Sequence, residues 1–253
     1  ANVPYPVPMD EEALIEALRE LEPTLTWAPA EIIVDPLERF DGGATSAFVK
    51  LGDRLRENLH DEVVIQTAYL IPTKEGIEAI RKDVERGVRY RIMTNSLMSN
   101  NHISVHAHYK KYRKPLLEAG AELYELRAET ELLEYYKEAD SRIAESHAGL
   151  HTKAFVVDGR WSMIGSYNMD PRSRVWNSEI GLLVDSETFA DTVLEEINEE
   201  FEPGTSYRLS LDERGKLLWT LDGPEGTKTW THDPDSSAWR RFLATLIGWI
   251  PIE

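Results

Sequence analysis

His151 and Lys153 stand two apart in the stretch HTKAFVVDGRWSMIGSYN, so on an extended strand both side chains point to one face. The apolar run Ala154 to Val157 reads as a buried strand. Asp158-Gly159 then reads as a tight turn and Trp161 to Gly165 as the returning strand of a hairpin. Just beyond it, Ser166 and Asn168 are again two apart and set a hydroxyl and an amide beside the imidazole and the ammonium. Those four groups suit a phosphodiester. A nucleophile approaching that anion needs donors that cancel the equatorial oxygen charge as it redistributes, and Lys153, Ser166 and Asn168 can supply them. Histidine can attack as the neutral ring, or give up a proton as the cation, near neutral pH. Glu179, on the strand-like run SEIGLLV, can accept the second ring N–H of His151 and hold its orientation.

The string His151-x-Lys153-x4-Asp158-x6-Gly165-Ser166-x-Asn168 matches the HKD signature without a gap, and on these residues the chain resembles the phospholipase D superfamily. The continuation through Asp170, Arg172, Ser173, Asn177 and Glu179 is similar to the bacterial cardiolipin synthase branch. So are the segment His106 to Leu126 and the tail LIGWIPIE, and the resemblance therefore covers most of the chain. It implies a covalent phosphohistidine mechanism with two such motifs, one histidine as nucleophile and the other as general acid and base, and no metal or other cofactor. Only one motif is present, since His108-x-Lys110 has Pro115 at the Asp position and no Gly-Ser-x-Asn after it. The chain thus looks like the C-terminal half of a two-motif enzyme, an excised piece completed by an N-terminal half or by a second copy. In that half His151 is expected to protonate the leaving alcohol, with a nucleophilic role left open.

By the same resemblance the substrate is a phosphatidylglycerol-like phospholipid with an alcohol acceptor. Asp158 and Gly165 are structural residues of the hairpin, and His106 contacts the head group. The alternatives are a phosphodiesterase, phospholipase D hydrolase or nuclease acting as a homodimer, and a catalytically silent half.

The elements that must position these residues follow from pattern. VVIQTAYLIP, a helix from Lys74 to Arg86 and VRYRIMTNS form a strand, helix, strand succession that implies parallel pairing in a covered sheet. Ligands collect at the carboxyl ends of such strands, which adds Tyr69, Asn95 and Ser96 to the pocket candidates, beside Arg172 from the motif's continuation. AEIIVD reads as a short strand and the loop DGGATS as a lead to a helix capped by Thr45 or Ser46. A helix from Asp10 to Leu21, stopped by Pro23, carries Leu14, Leu18 and Leu21 on one face. Residues 1 to 8 are a Pro-rich lead-in. His106 opens a helix running to Leu117, and Ala128 to Ala148, with ELLEYYKEAD, reads as a mobile insertion over the pocket mouth. Ser186 to Phe201 is an amphipathic helix. Tyr207 to Leu211, Leu217 to Leu221 and Lys228 to Trp230 form a small meander, and the final helix, Ser237 to Trp249, is expected to pack its apolar face on its own protein. The fold class is α/β, a phospholipase D-like sandwich with a mixed sheet flanked by helices. Residues 1–203 form the catalytic half-domain, and 204–253 a meander with the helix packed on it.

Composition sets the outer limits. A chain of 253 residues with 42% hydrophobic content can bury a substantial core, and it contains no cysteine. Its 28 basic against 45 acidic residues give a net charge of −17, which disfavours nucleic acid as a partner because backbone binding needs a basic surface. No apolar run is long enough to span a bilayer, so a peripheral membrane or cytoplasmic location is expected. His102, His106, His108 and His147 tempt a metal assignment, but no carboxylate sits among them at a ligand spacing.

Overall fold

The computed structural model describes residues 11–22, 25–41, 45–129, 149–224 and 226–250. The Pro-rich lead-in, Pro23, the glycines of DGGATS, His147 and the segment ELLEYYKEAD lie outside the described residues.

The first helix, α1 (Glu11–Leu21), leads to β1 (Ala30–Val34) and α2 (Ala47–Arg56), whose cap is Ser46 accepting from the Phe48 amide at 3.2 Å. β2 (Glu62–Thr67), α3 (Lys74–Glu85) and β3 (Arg89–Asn95) make the expected unit, with Thr73 capping α3 and β2 parallel to β3. The helix expected from His106 to Leu117 is instead two short ones, α4 (Ile103–Tyr109) and α5 (Arg113–Glu118). β4 (Glu122–Leu126) follows, parallel to β3. Next come the hairpin β5 (Lys153–Val157) and β6 (Trp161–Gly165), then β7 (Ile180–Asp185) and α6 (Glu187–Glu199). The chain ends in β8 (Ser206–Leu211), β9 (Leu217–Gly223), β10 (Gly226–Trp230) and α7 (Ala238–Ile247).

The ten strands among the described residues join one mixed sheet in the order β1-β7-β6-β5-β2-β3-β4-β8-β9-β10. The meander extends that sheet through antiparallel pairing of β8 on β4. Period-two alternation gives the sheet two apolar faces. Val63, Ile65, Val157 and Met163 face α2 and α3, which bury Phe48, Leu51, Leu55, Ile77 and Ile80 there. Val64, Ala154 and Val156 face Ala190, Val193 and Ile197 of α6.

Two amphipathic helices do not sit as expected. Leu14, Leu18 and Leu21 of α1 are exposed rather than packed on the core. In α7 the fully buried side chain is Ala244, which meets Ala107 of α4 and Leu97. Trp239, Phe242, Leu246 and Trp249 face solvent. The small Ala107 surface offers one narrow seat, so the bulky side of α7 is left uncovered and the helix lies on α4 rather than on the meander.

Candidate active site

The hairpin turn sets the frame. Asp158 and Gly159 both take positive φ, +50° and +59°, the geometry of the tight hairpin turn that Asp-Gly favours. The Asp158 carboxylate accepts the backbone N–H groups of His60, Asp61 and Glu62 at 2.8 to 2.9 Å. It thereby pins the hairpin to the start of β2. At the other end, a Cβ on Gly165 would approach Gly181 Cα to 2.6 Å, so only glycine allows β6 and β7 to come this close.

Lys153 begins β5 and is buried, and its ammonium donates to the His151 carbonyl at 2.6 Å and lies 5.9 Å from the Tyr69 ring centre. Burial pushes its pKa below the ordinary lysine value, while Glu179 and Asp170 act in the opposite direction. Asp170 is itself raised above the usual carboxylate range, chiefly by burial. The His151 ring is exposed and meets the edge of Tyr69 at 6.4 Å between centroids. Asn95, a pocket candidate, is buried. Its amide donates to Leu150 O at 2.9 Å and Ala68 O at 3.1 Å, and accepts from Leu150 N at 2.8 Å. The residue preceding His151 is therefore clamped from both sides, beside the residue that precedes Tyr69.

The Ser166 hydroxyl donates to Glu179 and accepts from Ile180 N at 3.0 Å. Asn177 Nδ2 donates to the other Glu179 oxygen at 3.0 Å. Glu179 is thus engaged with Ser166 and Asn177 rather than with the His151 ring. The Asn168 backbone N–H donates to Ser173 Oγ at 3.1 Å, while its own side-chain Oδ1 is buried without a partner. Ser173 in turn bonds Asp170 at 2.8 Å. The ends of β2, β5, β6 and β7 therefore gather a cation, an amide, a hydroxyl and a carboxylate around one exposed imidazole. That set can bind a phosphate and move a proton.

Residues 56–202 match the family described as "Cardiolipin synthase, PLD-like domain". The chain belongs to that family. This PLD-like chain is 31% identical over 249 residues to cardiolipin synthase C of Escherichia coli K12, which covers 97% of the chain and 52% of that protein. Cardiolipin synthase A of Proteus mirabilis is 32% identical over 129 residues, covering 51% of the chain and 22% of that protein. The chain thus spans at most about half the length of these relatives. Among solved structures, phosphatidylserine synthase of Haemophilus influenzae superposes with a TM-score of 0.52 at 15% identity, over 95% of this chain and 52% of that one. Nuc, a phospholipase D family member from Salmonella typhimurium, gives 0.50 at 17% identity, over 72% and 99%. These two likenesses carry the fold: a mixed sheet flanked by helices.

One pocket expectation for this PLD-like chain is not met in place. His106 has no exposed surface, so it cannot touch a head group; its Nε2 lies 3.0 Å from Arg113 and 3.4 Å from Asp233, and its Nδ1 has no partner. Burial, then Arg113, holds it below the ordinary histidine pKa and therefore neutral at pH 7. Arg172 is exposed on a single turn of π-helix, Arg172–Trp176.

A further knot escaped sequence reasoning. Asp35, buried after β1, accepts from Glu179 N at 3.2 Å and Ala47 N at 2.7 Å and pairs with Arg39, which also donates to the carbonyls of Ser173 and Arg174. It ties the Glu179 backbone to the 172–176 turn. Asp35 and Glu179 are 144 residues apart, so no local signal links them.

Proposed function

We propose that the chain carries one half of a phosphatidyl-transfer site working through a phosphohistidine. The observation that carries this reading is the gathering of His151, Lys153, Ser166 and Asn168 at one end of the sheet, where β5 begins and β6 ends. A histidine on the completing half attacks phosphorus and forms a P–N bond; the leaving alkoxide takes its proton from His151. The acceptor alcohol then gives its proton to His151 as its oxygen attacks phosphorus, and the P–N bond breaks. Lys153 and Asn168 stabilise the charge on the equatorial oxygens, and Ser166 joins them by turning its hydroxyl proton from Glu179 to the phosphate.

The half that completes the site needs a seat beside it. Ile32 and Val34 of β1, Ile164 of β6, and Ile180 and Leu182 of β7 share one sheet face and are all exposed. A patch of this kind on an otherwise covered sheet fits an N-terminal half or a second copy.

Substrate and acceptor are proposed as a phosphatidylglycerol-like lipid and a second lipid alcohol. Hydrolysis is the competing reading and differs only in what attacks second. Product analysis with a rising concentration of added glycerol separates them. Transfer predicts that the phosphatidyl group moves progressively into the new phosphodiester; phosphatidic acid as the sole product at every concentration would sink the reading. Nucleic acid is disfavoured by the net charge of −17.

Among the described residues no helix is long and apolar enough to cross a membrane. Peripheral contact is supported by α7, where Trp239, Phe242 and Leu246 stand exposed, with exposed Trp249 in the turn that follows. The double variant Trp239→Ala, Trp249→Ala is expected to lower co-sedimentation with phosphatidylglycerol vesicles at least about tenfold, since each lost aromatic removes roughly 1 to 3 kcal/mol of buried apolar surface. Unchanged binding would remove α7 from the membrane.

A further inference from the structure

β2 and β5 run side by side with Val63 opposite Val157, Ile65 opposite Phe155 and Thr67 opposite Lys153. These odd-numbered side chains share one face. The apolar floor they form therefore ends, one step past Ile65 and Phe155, at the lysine of the motif. Residues of α2 and α3 line the space above it, a cavity of about 370 Å³. Close-packed interiors hold few voids larger than a water molecule, and small-molecule sites occupy roughly 300 to 1,000 Å³.

The walls are kept open by small residues. Gly52 of α2 and Gly76 and Ala79 of α3 line the cavity, and a Cβ built on Gly52 meets nothing within 4 Å. Glycine in a helix interior is less stable than alanine, so Gly52 costs the helix something and returns empty space. The floor of Val63, Ile65, Phe155 and Met163 is apolar and suits an apolar guest, while Asp53, Arg56, Glu75, Asp170 and Arg174 stand elsewhere in the lining. At the motif end, Tyr167 stacks on Phe48 with centroids 4.8 Å apart, and Met169 and Asp170 complete the lining. Tyr167 and Met169 alternate with Ser166 and Asn168, so the segment that forms the phosphate site also lines the near end of the cavity, where Thr67 stands opposite Lys153.

We infer that this groove holds one acyl chain of the phospholipid substrate, running along β2 and β5 with its ester end at Thr67 and its phosphate at Lys153. The inference rests on the phosphatidyl-transfer reading for its ligand. Four strand steps of about 3.3 Å from Val63 to Thr67 give a floor of ~13 Å. That length suits an extended hydrocarbon better than a ring.

The test is equilibrium binding of the fluorescent fatty acid cis-parinaric acid to the chain, without turnover. One saturable site is expected, with Gly52→Leu and Ala79→Leu each weakening it at least tenfold. Gly52→Leu adds its side chain into open space and exchanges glycine for a better helix former, so it folds, as circular dichroism will verify. Displacement by a lysophosphatidylglycerol series should improve about fourfold per added methylene up to the length of the floor and then level off. Palmitoyl lysophosphatidylglycerol should displace the probe better than palmitate, because its phosphate reaches Lys153. Absence of saturable binding, or binding indifferent to both substitutions, overturns the groove, and equal displacement by palmitate overturns the assignment to the substrate. Binding to the chain, together with no phosphatidyl transfer by the enzyme assembled with its completing half, would instead count against the proposed reaction and leave the groove standing.

Discussion

His151→Asn lowers phosphodiester turnover by at least about 10³-fold while leaving the unfolding transition in place, because the residue is needed for proton transfer and not for packing. The ring is exposed and meets the edge of Tyr69. What fixes its position is backbone: the Asn95 clamp on Leu150 and the start of β5 at Lys153. Asn preserves polarity and fits that backbone, so the stability change should stay within about 0.5 kcal/mol, as for surface substitutions in general. The check is steady-state turnover beside chemical denaturation of the same preparation. Activity within tenfold of the parent would place His151 outside the chemistry.

Arg113→Met is expected to cost about 3 to 5 kcal/mol of stability, the range for removing one partner of a buried ion pair. The guanidinium is almost completely buried and reaches Glu125 at 2.6 and 3.1 Å, Asp233 at 2.5 Å and His106 at 3.0 Å. It also lies 5.0 Å from the Trp219 ring, whose indole N–H bonds Glu125 at 3.0 Å. Removing it leaves the carboxylate of Glu125 fully buried without its cation, beside a histidine that burial already holds neutral. One cluster thus joins α4, α5, β4, β9 and the segment before α7, and its loss should lower the melting temperature by roughly 10 °C or more. Arg54→Met, which breaks the half-exposed pair with Glu31, serves as the control and should cost less than about 1 kcal/mol. A shift no larger than the control's would mean that the cluster adds nothing to stability.

The sequence made short-range features legible. The β5–β6 hairpin could be read from alternation and an Asp-Gly turn, and the parallel pairing of β2 and β3 from the helix between them. Long-range features were not legible. His106, Arg113, Glu125 and Asp233 span 127 residues, and nothing local distinguishes Arg113 from any other cation on a short helix. The resemblance alone makes His106 a pocket residue, whereas the partners that bury it come from α5 and the segment before α7. The meander's place at the sheet edge depends on β8 meeting β4, a pairing across most of a domain. In α1 and α7 the periodicity identified an apolar side correctly but could not say whether protein would cover it.

The most direct test of the central claim, that His151 acts as acid and base in a site completed by another half, uses a phosphatidyl-p-nitrophenol substrate whose leaving group needs no proton donor. Intact-mass and peptide mapping of His151→Asn, quenched during reaction in the assembled enzyme, should find a phosphatidyl adduct on a histidine of the completing half, persisting because the acceptor lacks its base. An adduct on His151 of the parent protein would contradict that assignment.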